Sequence, residues 1–489
     1  MHNGTPSTSD TATTSQATPE LNRRRLPWLR STLRKSQQEA VASATMTATS
    51  DNFLNAFAVY LHATSAQMSW LTAIPQLFGA LSQLLSAWLG NHTRRKRLVV
   101  GAAIMQALVV LAMAMLAWYR GWFGQGSNLI GMLILLAVAY FVCLNLIQPH
   151  WRAWMGGIVP QRRRGVFFAR RTRLTMVSSL LIFLLGGVLL NVSAEQNAAW
   201  IGFAVLFGVA AVGRMTSSYL LGRMHDPGND NAASDTELVN SWRQVRQALR
   251  DPIFRHYSFF VAAMQGAVAL SAPFFAVYQL RDLQFTYLQY SLNSIASVAT
   301  QFALLNFWGR FADRFGNRAV MIISSCIIPA VPLLWMVHTN FYYLIVVQMI
   351  SGFAWAGFTL CTANYLYDIR PHHTNFAFYA AIQSATSALC VFFGALLGGL
   401  VASYAPDIWV GIFNMQWGSA LFLVFIVTAV LRIGVSVYYL PLLHEPQQRK
   451  RPDMLQIIFR ISRLNAISGV ALDWMSVTKN DSKKNIDQD

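Results

Sequence analysis

Between residues 40 and 439 the chain returns repeatedly to apolar runs close to the ~20 residues a helix needs to cross the hydrocarbon of a bilayer. Nothing else in the sequence constrains the fold as tightly. In lipid, only helices and closed barrels satisfy their own backbone. The runs lack the strict alternation of barrel strands, so they read as helices. They fall at 40–62, 67–89, 98–119, 128–150, 174–193 and 198–221, then at 255–279, 287–308, 319–337, 341–365, 375–403 and 408–439. The expectation is an all-α integral membrane protein with twelve transmembrane helices.

Charge supports this reading and orients it. The chain of 489 residues is 54% hydrophobic and only 12% charged, about half of the roughly 25% usual for soluble domains. Its net charge of +18 would suit nucleic acid, but no nucleic-acid-reading module is present and the cations sit in short pieces between the runs. If both termini lie on one side, all but four of the 38 Lys and Arg fall on that side; Arg120 and Arg281 lie opposite, and Arg214 and Arg432 lie within runs. Short basic loops resist translocation, so the basic side is expected to be cytoplasmic. The four cysteines, Cys143, Cys326, Cys361 and Cys390, lie inside apolar runs without a C-x-x-C pair and read as buried small side chains. The N-terminus lacks the apolar core of a secretory signal peptide.

The halves divide near residue 235. The expected order is a tail over 1–39, partly disordered; a first bundle over 40–222; a linker over 223–254; a second bundle over 255–439; and a tail over 440–489. In the linker, Leu238, Trp242, Val245 and Leu249 mark one face of a helix expected to lie on the membrane surface. Asp251-Pro252 is a cap and first turn for the seventh run. Residues 21–36, with Leu26, Trp28, Leu29 and Leu33 among cations, suit an anionic lipid surface. In the last tail, Met454, Ile457, Ile458, Ile461 and Leu464 form a stripe beside Arg460 and Arg463, fitting either a surface helix or a partner-binding helix. Ala58-Val59-Tyr60 is matched by Ala276-Val277-Tyr278, and Leu185-Gly186-Gly187 by Leu397-Gly398-Gly399, so the halves repeat.

Residues 309–318, Gly-Arg-Phe-Ala-Asp-Arg-Phe-Gly-Asn-Arg, form a charged hairpin between the eighth and ninth runs. Its glycines permit a sharp turn, and Asp313 can pair with arginine or cap a helix. The string resembles the loop signature of the major facilitator superfamily, G-x-x-x-D-R-x-G-x-R, at Gly309, Asp313, Arg314, Gly316 and Arg318. The resemblance extends over about residues 40–440 in span number, topology and repeat. It implies two pseudo-symmetric six-helix bundles that rock about a midplane substrate site, with the 309–318 loop as a conformational gate. The corresponding first-half loop, Ser86 to Lys96, keeps only its basic end, and Gly90 stands where the family has Asp. The loop from Pro160 to Arg171 is similar to bacterial members of unassigned substrate. The fifth run has no Gly-Pro pair after Gly186-Gly187, which argues against proton-driven drug export.

A charge at the bilayer centre costs about 2.5–3.5 kcal/mol and needs a reason. Asp51 lies about eleven residues, roughly 16 Å, into the first run. Asn52 accompanies it, and Asn55 shares its face. In the family resembled, the first span lines the central cavity, so Asp51 is the candidate to carry a coupling proton or bind a cationic substrate. A packing cluster of hydrogen bonds is the competing reading. Asn145, Gln148 and Arg152 share one face of the fourth run, although Arg152 also reads as an ordinary topological cation. Gln265 and Tyr278, Trp355 and Asn364, and Gln76 and Gln383 are further cavity candidates, each also explicable as a helix–helix hydrogen bond. Asp282 and Asp368 read as solvated loop-end carboxylates. His150, His372 and His373 lack the carboxylate or cysteine company of a metal site. Without a Walker loop or a nucleophile–base cluster, neither a cofactor nor catalysis is expected. The expected protein is a monomeric secondary transporter in the cytoplasmic membrane, proton-coupled, moving a neutral or weakly charged organic solute. The alternative is a non-transporting membrane receptor or regulatory protein on the same frame.

Overall fold

A computed structural model describes residues 18–92, 94–123, 128–159, 164–226, 241–369, 373–413 and 419–443. The first half comprises α1 (Thr18–Tyr60), α2 (Ser65–His92), α3 (Arg95–Phe123), α4 (Leu129–Ile158), α5 (Arg164–Glu195) and α6 (Ala199–Gly222). A short helix, α7 (Ser241–Arg250), leads into the second half. There α8 (Pro252–Ala269) and α9 (Ala272–Val277) form one broken rod, which ends in a π-helical turn at Tyr278–Asp282. Then come α10 (Tyr287–Phe315), the broken pair α11 (Asn317–Ile327) and α12 (Ala330–Val337), α13 (Phe341–Ile369), α14 (His373–Phe413) and α15 (Phe422–Tyr439). Among the described residues the fold is thus twelve membrane-length rods in two six-rod bundles. Nine described stretches are long and apolar enough to cross a membrane. The other three rods, α1, α2 and α10, have the length but more polar faces, such as Asn52 and Asn55 on α1 and Gln289, Asn293 and Gln301 on α10.

Packing repeats pair by pair. α1 packs on α5 and α6 as α8 packs on α14 and α15; α2 packs on α4 as α10 packs on α13; α3 packs on α4 and α6 as α11 and α12 pack on α13 and α15. The halves meet along two seams, α2 with α14 and α5 with α10. The repeated glycines stand in these seams. A Cβ on Gly187 would come within 2.4 Å of Ser291 Oγ, and one on Gly399 within 2.5 Å of Ser69 Oγ, so only glycine permits either approach.

Prolines break the seventh and ninth rods, and α15 repairs the damage. Pro332 has no N–H for the carbonyl of Ile328, and Pro329 has none for that of Ser325. At the α8–α9 break, the Ser271 N–H turns to Val268 O and releases Ala267 O. Thr428, Arg432 and Ser436 follow one another at four-residue steps on α15. The Thr428 hydroxyl donates to Ala267 O, Arg432 Nη1 to Ile328 O at 3.1 Å, and Ser436 Oγ to Ser325 O at 3.1 Å. These three carbonyls have each found a donor, as the absence of water in such a core demands. Arg432 Nη2 also donates to Ser271 Oγ at 2.9 Å.

Two segments lie differently from the sequence expectation. α1 begins at Thr18 rather than near residue 40. Trp28 and Leu29 pack on the first-half cluster around Val99, Trp154 and Leu221. Lys35 Nζ donates to Arg223 O at 3.1 Å and Lys96 Nζ to Met224 O at 2.8 Å. These cations meet the unpaired carbonyls and negative dipole end of α6. Lys35 therefore caps a helix instead of facing lipid. Likewise, Val245, Ala248 and Leu249 of α7 pack on the second-half core, so protein covers this face of the linker helix. The Asp251 cap of α8 forms as expected, accepting from Ile253 N at 3.0 Å. The stripe from Met454 to Leu464 lies outside the described residues.

The 309–318 hairpin is almost all helix. α10 continues to Phe315 and α11 starts at Asn317, leaving Gly316 (φ 91°) as the turn. Gly309 lies within α10, where a Cβ would touch only Leu360, at 3.9 Å. The sharp turn thus needs Gly316 alone.

Candidate functional site

The hydrophobic clusters show where the two halves separate. At the far end, which carries the turns near residues 62, 197, 284 and 338, one continuous core joins both halves, with Phe57, Leu190, Phe203, Tyr278, Trp335 and Phe425 among its members. Tyr290 of α10 donates to Asn52 O of α1 at 3.0 Å, and the Phe203 and Tyr287 rings meet edge to face at 5.6 Å. At the near end the cores are separate, one around Trp154 and Met155 in the first half and one around Trp308 and Tyr365 in the second. Among the described residues, the apolar cores of the two halves are therefore joined at the far end and separate at the near end.

Two cavities lie toward the near end. The first, of about 200 Å³, lies between the halves. Gln76, Gln83 and Asn145 face it from α2 and α4, and Gln265, Gln383 and Ser387 from α8 and α14. Gln83 Nε2 donates to Asn145 Oδ1 at 2.7 Å, and Gln383 Nε2 to Ser387 Oγ at 2.9 Å. Its named polar groups are amides and a hydroxyl, which both donate and accept without carrying charge.

The second cavity, of about 280 Å³, belongs to the first half alone, among α1, α4, α5 and α6. Glu39, Gln148, Trp151, Arg152, Arg171 and Arg214 contribute to its wall. Glu39 is 3% exposed. Its Oε2 accepts from Arg171 Nη2 at 2.7 Å, and its Oε1 from Ser217 Oγ at 3.0 Å. Arg214 Nη1 donates to Ser217 Oγ at 3.1 Å and Ser43 Oγ at 3.3 Å. The Arg171 guanidinium carbon is 4.0 Å from the centroid of the Trp151 ring, a cation–π contact. Arg152 is exposed and donates to Gln148 Oε1 at 3.2 Å.

Asp51 stands nine residues before the end of α1, about 14 Å along the axis and near mid-depth of a ~30 Å core. It is exposed, one helical turn beyond Thr47 of the arginine-walled cavity. The buried Tyr140 hydroxyl interacts with the Asp51 carboxylate, and Arg214 is the other charged group that acts on it. Asn52 turns back on its own helix, Nδ2 donating to Ala48 O at 2.9 Å. Asn55 and Asn364 are half-buried. Trp355 flanks the second-half core against Phe358. Tyr278 is packed among Trp335, Phe422 and Phe425 at the closed end, away from both cavities. The structure therefore gathers Gln76, Asn145, Gln265 and Gln383 at one cavity and Gln148 and Arg152 at the other. Asp368 and Asp282 are not simply solvated. Asn317 Nδ2 donates to Asp368 at 2.6 Å, and Asp282 accepts from Arg281 Nε at 2.8 Å and from Ser419.

Glu39 and Arg171 carry little signal of their own in the sequence, because the first apolar run begins at 40 and basic loops ordinarily set topology. A signal existed: Arg214 lies inside an apolar run and calls for a counter-charge.

Two repeated six-helix bundles with a joined core at one end and polar cavities toward the other are the architecture of helical membrane carriers that work by alternating access. The sequence profile of the Major Facilitator Superfamily matches residues 40–281 and again 258–478. The chain belongs to that superfamily and is a secondary transporter. Solved structures share its fold. The nucleoside transporter NupG matches at a TM-score of 0.61 and 11% identity, covering 85% of this chain and 99% of that one. A D-xylose-proton symporter matches at 0.62 and 11%, covering 86% and 99%. A bacterial homolog of the human lysosomal transporter Spinster, inward-facing and unoccupied, matches at 0.59 and 13%, covering 85% and 97%. No curated protein sequence matches the chain.

Proposed function

We propose that the transporter carries a small neutral or weakly charged organic solute through the amide-lined cavity, with proton movement through Asp51 as the driving reaction. One observation carries this reading: both halves place uncharged donors and acceptors on a single cavity, Gln76, Gln83 and Asn145 from one half and Gln265 and Gln383 from the other. A solute held by both halves binds one face of each. Rocking the halves then exposes it to the opposite side. Asp51 lies at mid-depth, one helical turn beyond the arginine-walled cavity, and in this reading it is the group that gains and loses the coupling proton. The chain works as a monomer in the cytoplasmic membrane with both termini in the cytoplasm, which makes the near end inward-facing. On closure of that end, Asp313, Arg314 and Arg318 beside the Gly316 turn meet the first half.

The experiment is solute counterflow in proteoliposomes, with candidate solutes drawn from a ligand-stabilisation screen. Gln265→Ala and Gln383→Ala each weaken solute binding by about tenfold, the worth of roughly one or two lost hydrogen bonds. Asp51→Asn abolishes gradient-driven accumulation but keeps counterflow. Unchanged affinity in both glutamine variants removes the amide cavity as the site. Unchanged accumulation across pH in Asp51→Asn removes the carboxyl from coupling.

A further inference from the structure

We infer that the arginine-walled cavity of the first half is a second binding site, for an anionic group such as a carboxylate or phosphate. Among the described residues its wall holds Arg152, Arg171 and Arg214 against Glu39 as the one acid, an excess of two positive charges, with Asp51 one helical turn beyond it. The hydrogen-bonding inventory is equally one-sided. Arg171 Nε, Arg214 Nε and Trp151 Nε1 are all buried donors without an acceptor among the described residues. Buried donors normally have partners; three orphans in one cavity wall describe a missing acceptor. A carboxylate or phosphate supplies several acceptor positions and matches a guanidinium fork in two bonds.

Glu39 already plays the ligand's part inside the protein. It is the carboxylate that Arg171 holds at 2.7 Å, and Arg214 reaches it through Ser217. An entering anion competes with Glu39 for Arg171. Arg152 is exposed at the cavity, bonded to Gln148 on its own helix, and can swing to the ligand at little cost. The cavity's volume of about 280 Å³ has room for such a group. The matching Arg432 of the second half instead serves the Ile328 carbonyl and the Ser271 hydroxyl and has no acid beside it among the described residues.

The source of the anion is either a soluble solute or the headgroup of an anionic lipid. The test uses the full purified chain in nanodiscs of phosphatidylcholine, titrated with inorganic phosphate and with succinate and followed by thermal unfolding and calorimetry. A parallel series replaces part of the lipid with phosphatidylglycerol. Saturable stabilisation by the soluble anions, or by phosphatidylglycerol alone, supports the site and names its source. Arg152→Gln and Arg171→Gln each weaken binding by about tenfold or more, whereas Glu39→Gln strengthens it by removing the internal competitor. Arg152 is exposed, so its variant remains informative even if Arg171→Gln folds poorly. No saturable binding in either series, or binding unchanged in Arg152→Gln and Glu39→Gln, overturns the proposal. The readout needs no gradient, so its failure leaves the transport reading untouched.

Discussion

Arg214 of α6 and Arg432 of α15 occupy matching places in the two halves, each 3% exposed and each followed four residues later by a serine. Their employment differs. Arg432 bonds Ile328 O, closing the wound that Pro332 opens in the ninth rod, and ties it to the seventh through Ser271 Oγ. Arg214 faces no such wound, because α3 contains no proline and α1 contains none between residues 28 and 60. Its guanidinium serves Ser43, Ser217 and, through the latter, Glu39 beside a cavity. One inherited position has become a structural clasp where the backbone is broken, and a cavity-lining cation where the backbone is whole.

The largest effect should come from removing the clasp. Arg432→Leu leaves Ile328 O unsatisfied in a dry core, and thermal unfolding in detergent should show a loss of about 3 kcal/mol or no folded protein at all. Arg214→Leu should cost clearly less, because Glu39 keeps Arg171. Equal losses in the two variants would falsify the comparison. Gly187→Val, at a seam where the halves behave alike, should cost about 2 kcal/mol by overpacking against Ser291. It should also lengthen spin-label distances across the far end, and Gly399→Val should do the same. A finer probe returns the missing donor. Pro332→Ala supplies an N–H for Ile328 O and should recover about 1 kcal/mol in the Arg432→Leu background. No recovery would mean that Arg432 acts on something other than that carbonyl. Ser436→Ala should show the smallest effect, about 1 kcal/mol, since it leaves one carbonyl, Ser325 O, without its donor.

Much of this architecture was legible from residue order alone. Apolar runs of bilayer length mark the rods, and Gly187 and Gly399 stand in a repeat that proved to be the pair of seams. Gln76, Asn145, Gln265 and Gln383 were visible as polar side chains in apolar surroundings and do line one cavity. Tyr278 looked equivalent, but an aromatic ring carries no mark of whether it faces a cavity or a core, and it packs among other rings. Glu39 was lost because composition cannot show that α1 extends well beyond its apolar stretch.

Residue order therefore determined the number of crossings, the basic side and the twofold repeat, since hydrophobic length and positive charge act locally along a chain. Which buried arginine clasps and which lines a cavity was decided only in three dimensions. That choice depends on whether a neighbouring rod, more than a hundred residues away for Ile328, offers a stranded carbonyl or a carboxylate at hydrogen-bonding distance.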